Sequence, residues 1–160
     1  MLTLPRPAIV FVRWMIARDM PAVLRIEREA FEYPWSEDDF AHCMLRRSTI
    51  GMVAESEAET VVAYLLYELH GKQIDLLNLA VAAPLRRHGI GSQLVAQVLP
   101  KLSRGRRSRL VVHVRERNLA AQLFFRSQGF LATDVLRGYY QETALYEGAA
   151  EDAYRLVWSA

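Results

Sequence analysis

Residues 79–92 read Leu79-Ala80-Val81-Ala82-Ala83-Pro84-Leu85-Arg86-Arg87-His88-Gly89-Ile90-Gly91-Ser92. The first three close an apolar, β-rich run. From Ile90 the period changes: Ile90, Leu94, Val98 and Leu102 recur every four residues, as on a helix with one buried side. The stretch is therefore a strand-to-helix junction with a glycine pair at its bend. Such a junction presents unpaired backbone N–H groups and the positive end of a helix dipole, which suits an anion. Gly89 and Gly91 have no side chain to hold a phosphate away, and Arg86 and Arg87 add charge, so a pyrophosphate fits. Taken alone, a short glycine-and-arginine loop equally serves turns and close packing. Its spacing differs from the P-loop, which needs Gly-Lys-Ser/Thr, and from the dinucleotide fingerprint, whose glycine trio opens a parallel β-α-β unit.

Working outward, the run that ends at Val81 begins at Gln73. It is preceded by two more β-rich runs, 49–55 and 61–70, with turns at 56–60 and Gly71-Lys72 short enough for hairpins. An antiparallel meander is the economical reading. Further upstream, 9–14 reads as a first strand. Asp19 is placed to cap a helix with Pro21 in its first turn and Val23, Leu24, Ile26, Ala30 and Phe31 on its apolar side, stopped by Pro34. Ser36 with Asp39 is a capping-box pattern opening a second helix that buries Phe40, Cys43 and Met44. Downstream, Pro100 should shorten the helix begun at Ile90. Residues 109–115 return to strand. Helix 118–128 turns Ala121, Phe124 and Phe125 inward and ends at Gly129 in a left-handed cap. Two last strands fall at 130–137 and 153–158. The order β-α-α-β-β-β-α-β-α-β-β predicts an α/β fold, a mixed sheet with helices on its faces.

With 160 residues, 52% of them hydrophobic and 24% charged, the chain can close one core and is short for two ordinary domains, so a single domain over 1–160 is expected. No apolar run approaches the ~20 residues that cross a bilayer, and the start lacks the features of a secretion signal, so no membrane and a cytoplasmic setting are expected. Cys43 is the one cysteine and the four histidines are scattered, so no metal is expected. The net charge of +2 does not call for nucleic acid. Arg104, Arg106, Arg107 and Arg109 make one basic patch, read as a solvated turn.

The segment Arg86-Arg87-His88-Gly89-Ile90-Gly91 resembles the acyl-CoA loop of the GNAT acyltransferase superfamily, of form Gln/Arg-x-x-Gly-x-Gly/Ala. The resemblance extends from Ile9 over nearly the whole chain. Tyr33-Pro34-Trp35-Ser36-Glu37, Asn78-Leu79-Ala80-Val81, His113-Val114-Arg115, Asn118, Gly129-Phe130, Tyr139-Tyr140 and Glu151-Asp152-Ala153 are similar to the bacterial ribosomal-protein-alanine N-acetyltransferases of the RimI type. The resemblance implies the GNAT fold, mostly antiparallel. It implies acetyl-CoA as co-substrate and transfer of acetyl to an amine, most closely the N-terminal α-amine of a protein. It also implies that Leu79, Ala80 and Val81 offer backbone groups to the acetyl carbonyl and pantetheine arm. Arg87, His88, Gly89, Ile90, Gly91 and Ser92, with the charge of Arg86, would hold the pyrophosphate. Asn118 and Phe125 would meet the cofactor further along. The arm lies in that family like an extra strand between two splayed strands, and a backbone N–H such as that of Val81 can stabilise the oxyanion.

Two positions depart from the family. An attacking amine must be neutral, yet an α-amino group with pKa near ~8 is partly protonated at neutral pH, so a base must take a proton. The glutamate credited with this in RimI-type enzymes is replaced here by His113. Histidine titrates near neutrality and can act directly or through a water, and eukaryotic N-terminal acetyltransferase subunits resembling this chain also carry His-Val there. The alternative is a packed strand histidine bonded to a backbone carbonyl. Asp75 is the second candidate base, or else pairs with an arginine or binds the substrate ammonium. The family tyrosine that protonates the departing thiolate aligns with Phe125, which has no proton to give. A thiol of pKa ~8.5 leaves tolerably without it, and Tyr139 or Tyr140 can supply a hydroxyl or, more blandly, wall the pocket. Phe31, Tyr33, Trp35, Tyr139 and Tyr140 would enclose the acceptor or simply be core. Glu32 and Glu37 would attract the amine or be solvated and capping. The insertion 141–150 leaves the acceptor open. Small-molecule amines, and a non-catalytic acyl-CoA sensor, are the competing readings.

Overall fold

The computed structural model describes residues 7–140 and 150–160. Its elements follow the expected order: β1 (Val10–Trp14), α1 (Met20–Ala30), α2 (Glu37–Met44), β2 (Thr49–Ser56), β3 (Val61–Leu69), β4 (Gln73–Val81), α3 (Ile90–Val98), β5 (Arg109–Arg115), α4 (Leu119–Ser127), β6 (Leu131–Tyr140) and β7 (Glu151–Ser159). Short 3-10 turns occupy Ala17–Asp19, Ala83–Leu85 and Leu99–Lys101. The last of these is where Pro100, lacking an N–H, ends the α-helical pattern. The strands form a seven-stranded mixed sheet in the order β1-β2-β3-β4-β5-β7-β6, with β4 and β5 parallel. By its internal packing the chain divides into two compact units, the described part of Met1–Glu68 with Asn78–Pro100, and Leu69–Leu77 with Lys101–Ala160.

In the first unit β3 is buried from Val62 through Glu68 without alternation. A strand reads that way when both of its faces are covered. Its core gathers Val23 and Ile26 of α1, Phe40 of α2, Val53, Tyr64, Leu65 and Tyr67 of the strands, and Leu94, Val95 and Val98 of α3. Ser36 opens α2 with both halves of the capping box: Asp39 N–H donates to Ser36 Oγ at 3.1 Å, and Ser36 N–H to Asp39 Oδ2 at 2.8 Å. Of the three side chains expected under α2, Phe40 is fully buried, while Cys43 and Met44 are half-buried. Asp19 corrects the sequence reading. Its side chain makes no cap bond to α1. It is buried, takes both terminal nitrogens of Arg13 at 2.8 and 2.9 Å, and accepts the Ile16 N–H at 2.9 Å. A buried carboxylate gains more from a two-pronged guanidinium than from one helix amide.

In the second unit Leu110, Val112, Phe125, Phe130 and Leu156 are buried. Helix α4 ends in a Schellman arrangement: Phe130 N–H reaches Phe125 O at 3.1 Å and Gly129 N–H reaches Arg126 O at 3.0 Å, with Gly129 at φ +95°. Strand β6, at the edge, runs three residues past the expected Arg137, through a register shift between Leu136 and Tyr140. At that shift Gly138 takes φ +63° and its N–H donates to Asp152 Oδ1 at 2.7 Å. Of the insertion read at 141–150, residues 141–149 lie outside the described residues.

Candidate active site

The glycine junction belongs to the first unit. After β4 the chain makes its 3-10 turn around Pro84, and Arg87 and Gly89 then take left-handed backbone, at φ +65° and +76°. Arg87 carries a side chain in that region at a cost of about 1 kcal/mol, a strain that the loop's neighbours must hold. Gly89 is the N-cap residue of α3, and no side chain caps the helix. Gln93 N–H bonds Gly89 O at 3.1 Å, so the amides of Ile90 and Gly91 sit at the positive mouth of the helix. The Ile90 side chain is buried, so only its backbone faces the loop. The residues thus fit a diphosphate through main-chain donors rather than through a side-chain cage.

Sequence reasoning missed what braces this loop. Ala8 N–H donates to His88 O at 2.9 Å, and Gln93 Nε2 donates to Ala8 O at 3.0 Å. No periodicity marks Ala8, because both bonds use its backbone. On β4, Leu79 N–H is taken by Asn78 Oδ1 at 2.9 Å, and Arg86 Nε turns back to Val81 O at 3.1 Å. Trp35 stacks on Phe40 with ring centroids 5.2 Å apart, and its N–H is held by Glu27 Oε1 at 2.9 Å. Tyr33 is half-buried in the same loop; Ser36 and Glu37 are exposed, and Glu37 with Asp38 and Asp39 crowds the positive end of α2.

The second unit brings His113, Tyr139 and Tyr140 together. Along a regular strand, successive side chains point to opposite faces, so two adjacent tyrosines would part. The shift at Gly138 lets both approach one histidine. The Tyr139 ring lies 4.9 Å from that of His113, and its hydroxyl is 3.4 Å from Nδ1. Tyr140 donates to His113 O at 3.4 Å, stacks on Tyr139 at 5.0 Å, and carries the Arg115 guanidinium 3.8 Å above its ring. Arg115 is tied to buried Glu151 at 3.3 Å. Burial pushes the Tyr140 hydroxyl up to about 12, with Arg115 opposing, so it stays a proton donor at neutral pH. Burial also holds the His113 imidazole below its ordinary value; Asp75 works against this and Arg155 adds to it. A neutral imidazole is the form that can accept a proton.

Asp75 is part-exposed and bonded to its own strand's neighbours. Its carboxylate pairs with His70 Nε2 at 2.9 Å and accepts from Gln73 Nε2 at 2.7 Å. Asn118 Oδ1 caps α4 through Ala121 N–H at 3.1 Å. Phe125 is 5% exposed and stacks edge-on with Phe124 and Phe130, at 5.0 and 5.1 Å. The arginine-rich stretch is a turn closed by Ser103 N–H to Arg107 O at 2.7 Å, with Arg107 Nε on His70 O at 2.5 Å. Among the described residues no group of three or more His, Cys, Asp or Glu side chains is placed to hold a metal ion, and no helix is long and apolar enough to cross a membrane.

Comparison with known proteins gives four concordant findings. A model of the acetyltransferase (GNAT) family matches residues 20–130. The [ribosomal protein bS18]-alanine N-acetyltransferase of Escherichia coli K12 is 29% identical over 125 residues, which are 78% of this chain and 83% of that protein. The crystal structure of the Escherichia coli ribosomal-protein-S18-alanine N-acetyltransferase superposes with a TM-score of 0.79 at 25% identity over 94% of each chain. Arabidopsis thaliana NAA60 in complex with acetyl-CoA shares the fold, with a TM-score of 0.79 at 17% identity, over 94% of this chain and 98% of that one.

Proposed function

The chain belongs to the GNAT acetyltransferase family and is an acetyl-CoA-dependent N-acetyltransferase; from that premise we propose that its acceptor is the N-terminal α-amine of a protein. The observation that carries this reading is the Gly138 shift, which turns two consecutive tyrosines onto His113, the position where the family expects its base. A relative that is an alanine N-acetyltransferase of ribosomal protein bS18 supports a protein acceptor.

Acetyl-CoA, when bound, supplies the activated acetyl group. Main-chain amides at Gly89 to Gly91 hold its diphosphate, with Arg86 and Arg87 adding charge. The backbone of Leu79, Ala80 and Val81 receives the pantetheine arm. Val81 O accepts Arg86 Nε in this structure and would have to give up that bond to receive the arm. His113 takes the proton of the attacking amine, directly or through the Tyr139 hydroxyl. The nitrogen forms its bond to the carbonyl carbon, a Val81 N–H steadies the oxyanion, and collapse breaks the carbon–sulfur bond. The thiolate leaves without the family tyrosine, since Phe125 is embedded in an aromatic stack, and is then protonated from solvent or by a loop tyrosine. Tyr33 and Trp35 in the first unit, and Tyr139 and Tyr140 in the second, are the side chains assigned to the acceptor.

Incubation with acetyl-CoA and a peptide library, read by thiol release and mass spectrometry, is expected to give peptides acetylated at the α-amine. Reaction of free small amines alone would overturn the acceptor assignment, and tight CoA binding with no turnover for any amine would make the protein a sensor. His113→Ala is expected to lower kcat by about 10²-fold or more with acetyl-CoA affinity held. Unchanged kcat removes His113 from the mechanism.

A further inference from the structure

Helix α1 carries one acid on its apolar side. Glu27 lies four residues after Val23 and three before Ala30, where the helical period calls for an apolar side chain. It is 1% exposed. A carboxylate is tolerated there only if its oxygens are satisfied, and the structure supplies three donors from three separate elements. Oε1 accepts the Trp35 backbone N–H at 2.9 Å. Oε2 accepts Asn78 Nδ2 of β4 at 3.0 Å and the Tyr64 hydroxyl of β3. Burial pushes the Glu27 carboxyl up, and the three donors pull it back.

Hydrophobic residues of similar volume would pack that space without the cost of burying an acid, so stability alone is a poor account of Glu27. What an acid does, and a leucine cannot, is fix a loop's backbone to two strands at once. The stretch 31–36 has no regular structure, and the Trp35 N–H bond to Glu27 ties it to α1 through a side chain. Through Asn78, whose Oδ1 takes the Leu79 N–H, the same carboxylate orients the start of the segment assigned to the thioester arm.

We propose that Glu27 is a positioning residue for the acceptor: one buried carboxylate pins the Tyr33–Trp35 loop by the Trp35 backbone on one oxygen, and β3 and β4 by Tyr64 and Asn78 on the other. The inference rests on the reading of that loop as the acceptor side, and its test separates the two. Glu27→Gln keeps the volume but turns one oxygen into a donor, so it cannot accept on both sides. Tyr64→Phe removes a donor from Oε2 and leaves the Trp35 bond in place.

In the unaltered protein the Trp35 amide is expected to exchange with deuterium as slowly as amides of β3, although it lies in a loop; rapid exchange overturns the proposal without any variant. In Glu27→Gln that amide is expected to exchange faster, and KM for an α-amine peptide to rise by about ten-fold or more, the factor expected for one charge-assisted hydrogen bond. Acetyl-CoA affinity should change far less than the peptide KM, because Asn78 Oδ1 still takes the Leu79 N–H. Tyr64→Phe is expected to lower Tm as much as Glu27→Gln does while leaving peptide KM in place. Equal KM effects in both variants, or a KM unchanged in Glu27→Gln, reduce Glu27 to a structural residue. If the unaltered protein acetylates no peptide at all, the acceptor reading fails by itself, and the Trp35 exchange result still decides whether Glu27 holds the loop.

Discussion

At the scale of the residue, the proposed chemistry turns on His113. Its rate-competent form is neutral, and burial with Arg155 already favours that form, while the Asp75 carboxylate works in the opposite sense. At saturating acceptor, kcat should fall as pH drops through the His113 value, which lies below the ordinary 6.5. Asp75→Asn deletes the one group that raises that value. The falling limb should therefore move to lower pH, with the plateau unchanged. The fold should survive, because the His70–Asp75 pair is part-exposed and such pairs contribute about 0–1 kcal/mol. A pH profile of kcat checks this: a limb that moves to higher pH contradicts the sign, and a collapsed plateau would make Asp75 the base. Neither the sign nor the His70 partner was legible in the sequence. Asp75 amid apolar residues looks the same whether it faces a substrate or a histidine five positions earlier.

At the scale of the element, two glycines in left-handed conformation bound two helices in opposite ways. Gly129 closes α4, where a Cβ would press on Trp158 Cδ1 and Nε1 at 3.3 Å, so both conformation and space require glycine. Gly89 opens α3 with open space around it, Pro7 Cβ at 3.9 Å being the nearest atom, so only its φ of +76° requires glycine. Gly89→Val should therefore fold but re-angle the amides at the mouth of α3, since a β-branched residue resists positive φ by about 1–3 kcal/mol. The expected result is a dissociation constant for acetyl-CoA raised about ten-fold or more by titration calorimetry; equal affinity contradicts the assignment of that loop. The element order was readable because period 2, period 3.6 and Gly/Pro punctuation are local signals. Strands β4 and β5 matched to the residue, and α4 ended at the glycine chosen for it. Asp19 reads as a cap because a cap pattern looks forward into the helix, whereas Arg13, the partner that won, sits behind it on β1. The Gly138 shift was also out of reach: the sequence reading stops the strand at Arg137, and only the register with β7 carries it on to Tyr140.

At the scale of the whole molecule, the question is whether a chain with two compact units behaves as the one domain expected from its length. Neither unit is a contiguous piece of sequence. Each is made of two segments, and β4 is divided, with Gln73–Leu77 falling in one unit and Asn78–Val81 in the other. A strand is stable only while its hydrogen-bonded neighbours hold it, so unfolding either half of β4 unties the chain that leads into the other. We expect a single cooperative transition. Trp35 reports on the first unit and Trp158 on the second, so variants keeping one of these tryptophans give separate fluorescence probes of urea unfolding. The two midpoints should coincide. The ligand makes the test sharper, because the amides proposed for its diphosphate belong to the first unit alone. Acetyl-CoA at about 100 times its dissociation constant should add about 2.7 kcal/mol to unfolding. If the chain is one domain, the Trp158 midpoint must rise with the Trp35 midpoint. A Trp158 transition that ignores the ligand would mean that His113 and its tyrosines sit in a unit that folds independently of the acetyl-CoA loop.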